Sequence, residues 1–214
     1  MELKLNIPNS LNEITLGQYQ EFEKLDLTNE SKVHLKMIEI FCNVPEIVAR
    51  NIKATDVAEI CGIINNMFET KHQLINSFKL EGQEYSFIPS LQDMSFGEYI
   101  DLDTFIGDTE NLHRAMNVLY RPIELKQGKR YTLKEYDPES NEIAKDFPLD
   151  AVLGAIVFFY SLGKDLSLTM MNSLDKANQE TLAQHLISHP NMDGTTASMQ
   201  SLTEILQSLN ISQN

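Results

Sequence analysis

Cysteine is nearly absent from this chain. Cys42 and Cys61 are the only two, far apart in sequence and in no CxxC pair. That argues against a disulfide framework and for two reduced thiols on apolar helical faces. Positive charge is scarce as well: 17 Lys and Arg stand against 31 Asp and Glu, a formal net charge of -14. A nucleic-acid binder needs clustered Lys and Arg to release counterions, and a helix lying on anionic lipid needs a basic face. Neither class of partner, nucleic acid or membrane, is expected. Long apolar runs are missing too. The longest, 151–162, has twelve residues, short of the ~18 that cross a bilayer. Met1-Glu2-Leu3-Lys4-Leu5 has neither the basic start nor the apolar stretch of a secretory signal. The sequence contains no GxxxxGK[ST] phosphate loop, no strand-linked GxGxxG and no GxSxG elbow.

What is present is a foldable core: 42% of the 214 residues are hydrophobic, too many for a disordered or fibrous chain. The length allows one or two domains. A soluble, acidic, intracellular protein is the expectation.

The most informative feature is an internal repeat. Leu11-Asn12-Glu13-Ile14-Thr15-Leu16-Gly17-Gln18-Tyr19 aligns without a gap with Leu91-Gln92-Asp93-Met94-Ser95-Phe96-Gly97-Glu98-Tyr99, and all nine positions are identical or chemically similar. Each copy carries a helix start: Thr15 or Ser95 as N-cap, with Gln18 or Glu98 three residues on to complete a capping box. Ile14 on Tyr19, and Met94 on Tyr99, would act as hydrophobic staples. The box explains the Ser95–Glu98 spacing without any catalytic role. Val33, Met37, Ile40 and Phe41 then recur at helical steps before Pro45, as Leu112, Met116, Leu119 and Tyr120 do before Pro122. Each of these helices is expected to stop near its proline. A third helix over 56–68 has its counterpart in the apolar stretch 149–162, expected to be the buried central helix, with Gly163-Lys164 as its stop.

Strand signals lie between the helices. Phe78-Lys79-Leu80 and Tyr85-Ser86-Phe87 flank Glu81-Gly82-Gln83-Glu84 as a hairpin, beside which Leu3, Leu5 and Ile7 could add a strand. Ile123 and Leu125, then Tyr131 and Leu133, make a second hairpin around 126–129, part of an insertion over about 123–144. The predicted fold is mainly α (α+β): a tandem duplication of a three-helix unit with small β-hairpins. Residues 1–77 form the first unit and 78–187 the second. Within the second, 167–185 reads as a polar helix.

Residues 188–214 read as a linker, broken at Pro190-Asn191-Met192-Asp193-Gly194, and a tethered short amphipathic helix. Met199, Leu202, Ile205, Leu206 and Leu209 make one apolar stripe, the candidate partner-binding residues. A helix of about three turns is marginal alone in water. It either folds back on its own domain or docks in a groove of another protein.

Enzyme-like chemistry finds little support. His185 and His189 are spaced i, i+4, but no third ligand stands at a familiar distance in sequence, and Pro190 follows directly. Asp101, Asp103 and Asp108 lack the glycine and terminal Glu of a calcium loop. Neither Cys has the context of an activated thiolate. Tyr131, Tyr136 and Tyr160 read as core or hairpin residues with a polar tip, and His34 and His113, one position apart in the aligned halves, as ordinary helical histidines. No catalytic residue, no metal site and no cofactor is expected, and the chain reads as a non-enzyme.

Lys79-Leu80-Glu81-Gly82-Gln83-Glu84-Tyr85-Ser86-Phe87-Ile88-Pro89 is followed by Phe96-Gly97-Glu98-Tyr99-Ile100-Asp101-Leu102, Asn111-Leu112-His113, Val118-Leu119-Tyr120-Arg121-Pro122-Ile123 and 154–162. In this pattern, over about residues 1–165, the chain resembles small proteins of tailed bacteriophages found among virion and tail-assembly components. Tail-assembly chaperones are also small, acidic and helical. The resemblance implies a protein that binds other phage structural or tail proteins, as a chaperone of the tape-measure protein in the host cytoplasm or as a structural subunit of the virion. An acidic inhibitor of a basic host target ranks lower, because the acids are dispersed among lysines. Nine methionines, Met170-Met171, Met192 and Met199 among them, suit adaptable apolar binding as well as core filling.

Overall fold

A computed structural model describes residues 5–25, 29–128 and 130–173 of the chain. Among them seven α-helices and one four-stranded antiparallel sheet make an α+β fold in which helix predominates.

Helix α1, Leu16–Glu23, opens as its sequence demands. The Thr15 hydroxyl accepts from the Gln18 N–H at 3.2 Å, and Gln18 Oε1 accepts from the Thr15 N–H at 2.9 Å. Gln18 Nε2 also donates 2.7 Å to the Ile40 carbonyl, which fastens α1 to the end of α2, Glu30–Phe41. That helix does not run on to Pro45. Asn43 takes φ 51, its N–H reaches the Ile40 carbonyl, and the Val44 N–H reaches the Glu39 carbonyl. This is the two-bond helix end normally built on glycine, with asparagine supplying the left-handed residue. Pro45 instead caps the short α3, Glu46–Ala49. Helix α4, Ala54–Phe68, packs along α2 through Ile60, Cys61, Ile64 and Met67. Ring contacts of Tyr19 with Phe68, Phe41 with Phe68 and Phe22 with Phe41, at 6.3, 6.0 and 5.1 Å, join α1, α2 and α4.

The two expected hairpins form, and they are one sheet. Strands β1, Ser77–Leu80, and β2, Gln83–Phe87, are joined by only two residues, Glu81 at φ 50 and Gly82 at φ 86. Two left-handed residues in succession give the turn whose twist suits a hairpin. Helix α5, Phe96–Phe105, follows and leads to α6, Leu112–Leu119. The next residue, Tyr120, is already extended and begins β3, Tyr120–Gln127, which pairs with β2 on one side and with β4, Arg130–Leu133, on the other. Pro122 therefore does not stop α6; it lies within β3 opposite Tyr85. Its carbonyl accepts from the Lys134 N–H at 2.9 Å. A strand residue points its N–H and C=O the same way, so the missing donor falls on the β4 side and leaves the β2 ladder whole. Of the segment expected to add a strand at the N-terminus, Leu3 lies outside the described residues; residues 5–8 are not in a strand, and Leu5 and Ile7 pack their side chains on the core. Apolar alternation needs one buried face, and loose packing supplies that as well as a ladder does.

Helix α7, Leu149–Ser173, starts in the centre of the molecule, with Leu149, Ala151, Val152, Leu153, Ala155 and Ile156 fully buried. From Val157 to Tyr160 it is half-buried, and Leu162 is exposed. It does not stop at Gly163-Lys164. Glycine permits a left-handed turn without imposing one, and within a helix it costs only about 1 kcal/mol. Residues 167–173, expected to open a separate polar helix, continue α7 instead.

Three features lock α7 in place. At its start, Thr15 and Pro148 form an isolated antiparallel bridge: the Leu16 N–H donates to the Phe147 carbonyl at 3.0 Å and the Leu149 N–H to the Ile14 carbonyl at 2.9 Å. One turn on, the connection between α4 and β1 crosses the helix at Gly154, so closely that a Cβ there would lie 2.2 Å from the Gln73 carbonyl oxygen. The Tyr120 hydroxyl, buried and with its phenol pushed upward by that burial and by Asp150, reaches the carbonyls of Ile75 and Ala151 at 2.8 and 3.2 Å. Phe147, fully buried below, meets the rings of Phe78 and Tyr85 at 5.0 Å each.

Candidate functional site

The stripe expected to bind a partner, Met199, Leu202, Ile205, Leu206 and Leu209, lies outside the described residues, as do His185 and His189. Among the described residues no group of three or more His, Cys, Asp and Glu is arranged to hold a metal, and no helix is long and apolar enough to cross a membrane. The acids of the calcium question have structural work. Asp101 Oδ2 accepts from the Tyr136 hydroxyl at 2.7 Å, and Asp108 caps the turn at 109–111 through Glu110 and Asn111. Burial pushes the Cys42 thiol up to about 11, with Cys61 adding to it, and burial raises Cys61 as well, so both stay neutral at pH 7.

Two surfaces stand out. The first is the outer face of α5. Ser95 caps the helix: its hydroxyl accepts from the Glu98 N–H at 3.3 Å, and Glu98 Oε2 accepts from the Ser95 N–H at 2.6 Å. The other oxygen of Glu98 takes Arg121 Nη1 at 2.9 Å, and this bond between a buried carboxylate and a half-buried guanidinium ties α5 to β3. With Glu98 and Leu102 turned inward, helical geometry turns Phe96, Tyr99 and Ile100 outward, and they are 77%, 43% and 45% exposed. At the aligned positions of α1, Leu16, Tyr19 and Gln20 are 0%, 2% and 4% exposed. The nine-position match therefore joins a buried helix to one whose apolar face nothing covers among the described residues. Sequence reasoning missed this apolar face, because the similarity that marks it as a helix start carries no information on what packs against it.

The second surface is polar. His113, buried on α6, floors a cleft of about 520 Å³ lined by Lys24, Glu110, Asn111, Arg114, Pro138, Glu139, Asn141, Glu142 and Lys145. Gln20 Nε2 stands 3.2 Å from His113 Nδ1 and bonds the carbonyls of Thr109 and Glu110 at 2.7 and 2.9 Å. An amide nitrogen only donates, so Nδ1 accepts and the neutral ring carries its proton on Nε2, 3.9 Å from Glu142 Oε1. Burial holds the imidazole below its ordinary value, with Lys145, Arg114 and Lys24 adding to the effect and Glu142 opposing it. No hydroxyl or thiol lines this cleft, and its three cations face three acids. It can exchange a proton and orient polar groups.

The depressed His113 has a consequence for stability. The unfolded chain binds a proton near the ordinary histidine value while the folded chain resists it, so stability is lost as pH falls through about 6.5. His72, lowered chiefly by burial, acts in the same direction. His113→Asn retains an acceptor for Gln20 and removes one of the two titrations. Its melting temperature is expected to fall less than that of the parent between about pH 7.5 and 5.5; parallel curves in thermal denaturation would refute that role for His113.

Compared with family models, with curated proteins and with solved structures, the chain matches none.

Proposed function

We propose that this chain is a non-enzymatic bacteriophage protein that acts in virion or tail assembly by binding other proteins, as a chaperone that keeps the tape-measure protein soluble in the host cytoplasm. The observation that carries the reading is the exposed Phe96–Tyr99–Ile100 face, an apolar strip that nothing covers among the described residues of a strongly acidic chain. Acidity keeps such a protein dispersed while it handles apolar partners. The resemblance over residues 1–165 supplies the phage context. A tandem duplication underlies the architecture in this reading. Its support is that both capping boxes use their Gln or Glu to reach a later element, Gln18 to Ile40 near the end of α2 and Glu98 to Arg121 in β3 just past α6. The second copy then carries the sheet extension and the helix with the exposed strip.

Co-expression with the tape-measure protein tests the reading. The full chain is expected to hold it in the soluble fraction, and deletion of 195–214 to weaken capture several-fold while α2 and the sheet stay folded. Equal capture by the truncated chain would remove the stripe from the binding role. Mass spectrometry of purified particles should find the chain absent; a fixed copy number would make it a structural subunit instead.

A further inference from the structure

His113 is 7% exposed, and Gln20 orients its ring from behind, with the amide nitrogen 3.2 Å from Nδ1. The imidazole Nε2–H, on the other side of the ring, is therefore turned to the cleft that His113 floors. Among the described residues this donor has no hydrogen-bond partner: Glu142 Oε1 faces it from 3.9 Å, beyond bonding distance. The amides nearby are already spent. One turn along α6, Asn117 Nδ2 donates to Asn141 Oδ1 at 3.0 Å and to the Asp137 carbonyl at 2.9 Å, and Asn141 Nδ2 donates to the Pro138 carbonyl. A buried donor that is held in one orientation and lacks an acceptor calls for one from outside the chain. We infer that the cleft binds a small zwitterion of the amino-acid or dipeptide class, its carboxylate on His113 Nε2–H and Lys145 and its ammonium toward the rim acids Glu110 and Glu139. This site is independent of the assembly role.

The charges around the cleft decide the class of ligand. Arg114 and Lys145 are half-buried, whereas Lys24, Glu110, Glu139 and Glu142 are exposed. The deeper charge is thus positive, and the rim carries all three acids. A carboxylate is drawn inward and a cation is held outward, while a polyanion would meet the rim acids and a lone cation the floor. The ring itself adds no charge. Burial first, and then Lys145, hold the imidazole below its ordinary value, so at pH 7 it offers a neutral N–H. Size agrees as well: a cleft of about 520 Å³ is larger than a single ion needs and falls in the range of small-ligand sites.

Glu142 shows how the site meets a carboxylate. Its Oε2 bonds Lys145 at 2.7 Å while Oε1 faces His113, the same two groups assigned to the ligand. The Glu142 side chain is 78% exposed, and an exposed i,i+3 ion pair holds it weakly. It is an internal competitor, which an incoming carboxylate displaces into solvent. The wall that carries it is firmly seated: Gly17 lets the 138–146 segment rest on α1, where a Cβ would lie 3.2 Å from the Lys145 carbonyl oxygen.

NMR titration of the full chain tests the site, read at the His113 ring protons with glycylglycine as the probe. Glycylglycinamide keeps the ammonium without the carboxylate, and N-acetylglycylglycine the carboxylate without the ammonium. The His113 signals are expected to shift saturably with glycylglycine while those of α2 and β2 stay in place, and either analogue is expected to bind roughly tenfold more weakly. Glu142→Gln should tighten binding severalfold by weakening the competitor, and Lys145→Gln should loosen it by roughly tenfold. The absence of a saturable shift overturns the proposal and leaves Nε2 to water. Glycylglycinamide binding as tightly as glycylglycine overturns the carboxylate contact. Equal binding of N-acetylglycylglycine, or tighter binding of inorganic phosphate, makes this a general anion site and overturns the zwitterion. An affinity unchanged in both Glu142→Gln and Lys145→Gln places the dipeptide elsewhere and overturns the site.

Discussion

Gly154→Ala is expected to destabilise the chain by about 3 kcal/mol or more, a loss of roughly 6–12 °C in melting temperature for a protein of this size. The added methyl would meet the Gln73 carbonyl oxygen at 2.2 Å and its carbon at 2.8 Å. Both sides of this contact are backbone, so no side chain can rotate away. Either α7 moves out of the core or the 69–76 connection lifts off it, and both motions strain the Tyr120 hydroxyl that bonds Ile75 and Ala151. Gly62→Ala is the matched control. It lies inside α4 with nothing within 4 Å of the new methyl, and there the better helix former should stabilise by about 0.5–1 kcal/mol. Thermal or urea unfolding of the two variants decides the matter: a Gly154→Ala that stabilises as Gly62→Ala does would mean that helix propensity, and not the crossing, governs Gly154.

The second large effect is expected at Arg121. Arg121→Met leaves the Glu98 carboxylate buried with the Ser95 N–H as its remaining bond, and breaking a buried ion pair from one side costs about 3–5 kcal/mol. The pair itself contributes less than that figure suggests, because Arg121 Nε is buried with no hydrogen-bond partner and the guanidinium is only partly satisfied. Glu98→Gln in the same chain should therefore restore most of the loss. Gln18 shows why: a glutamine in this position of α1 accepts from the cap N–H and donates to the following helix without any ion. The double variant is expected within about 1 kcal/mol of the parent, a coupling that a double-mutant cycle in urea measures directly. A small cost for Arg121→Met, or a double variant as unstable as the single, would show that the carboxylate is already solvated. The loss should also be local, loosening α5 from β3 before the core opens.

Local signals were legible in the sequence, and their assembly was not. Thr15 with Gln18 and Ser95 with Glu98 set their helix starts, because a capping box is satisfied within four residues. Glu81-Gly82 made its turn for the same reason. Pro45 and Pro122 misled because each sits beyond a helix already ended by other means, Asn43 in one case and the step into β3 at Tyr120 in the other. The joining of both hairpins through β2 and β3 depends on a pairing between residues 85–87 and 120–122, which no nearby pattern encodes. His113 looked like any helical histidine; only Gln20, 93 residues earlier, gives it an orientation. The exposure of α5 was hidden for the opposite reason, since its sequence resembles that of a helix which is covered.

The bond between the 14–16 and 147–149 segments also orders events in time. When α1 and α2 leave the ribosome, Ile14 and Leu16 lack the segment that bonds to them, which is encoded roughly 130 residues later. At translation rates of about 5–20 residues per second the wait is roughly six to twenty-six seconds. During synthesis the first helical pair is thus an apolar surface in its own right, and any truncation before residue 147 would release a chain in which that surface never closes.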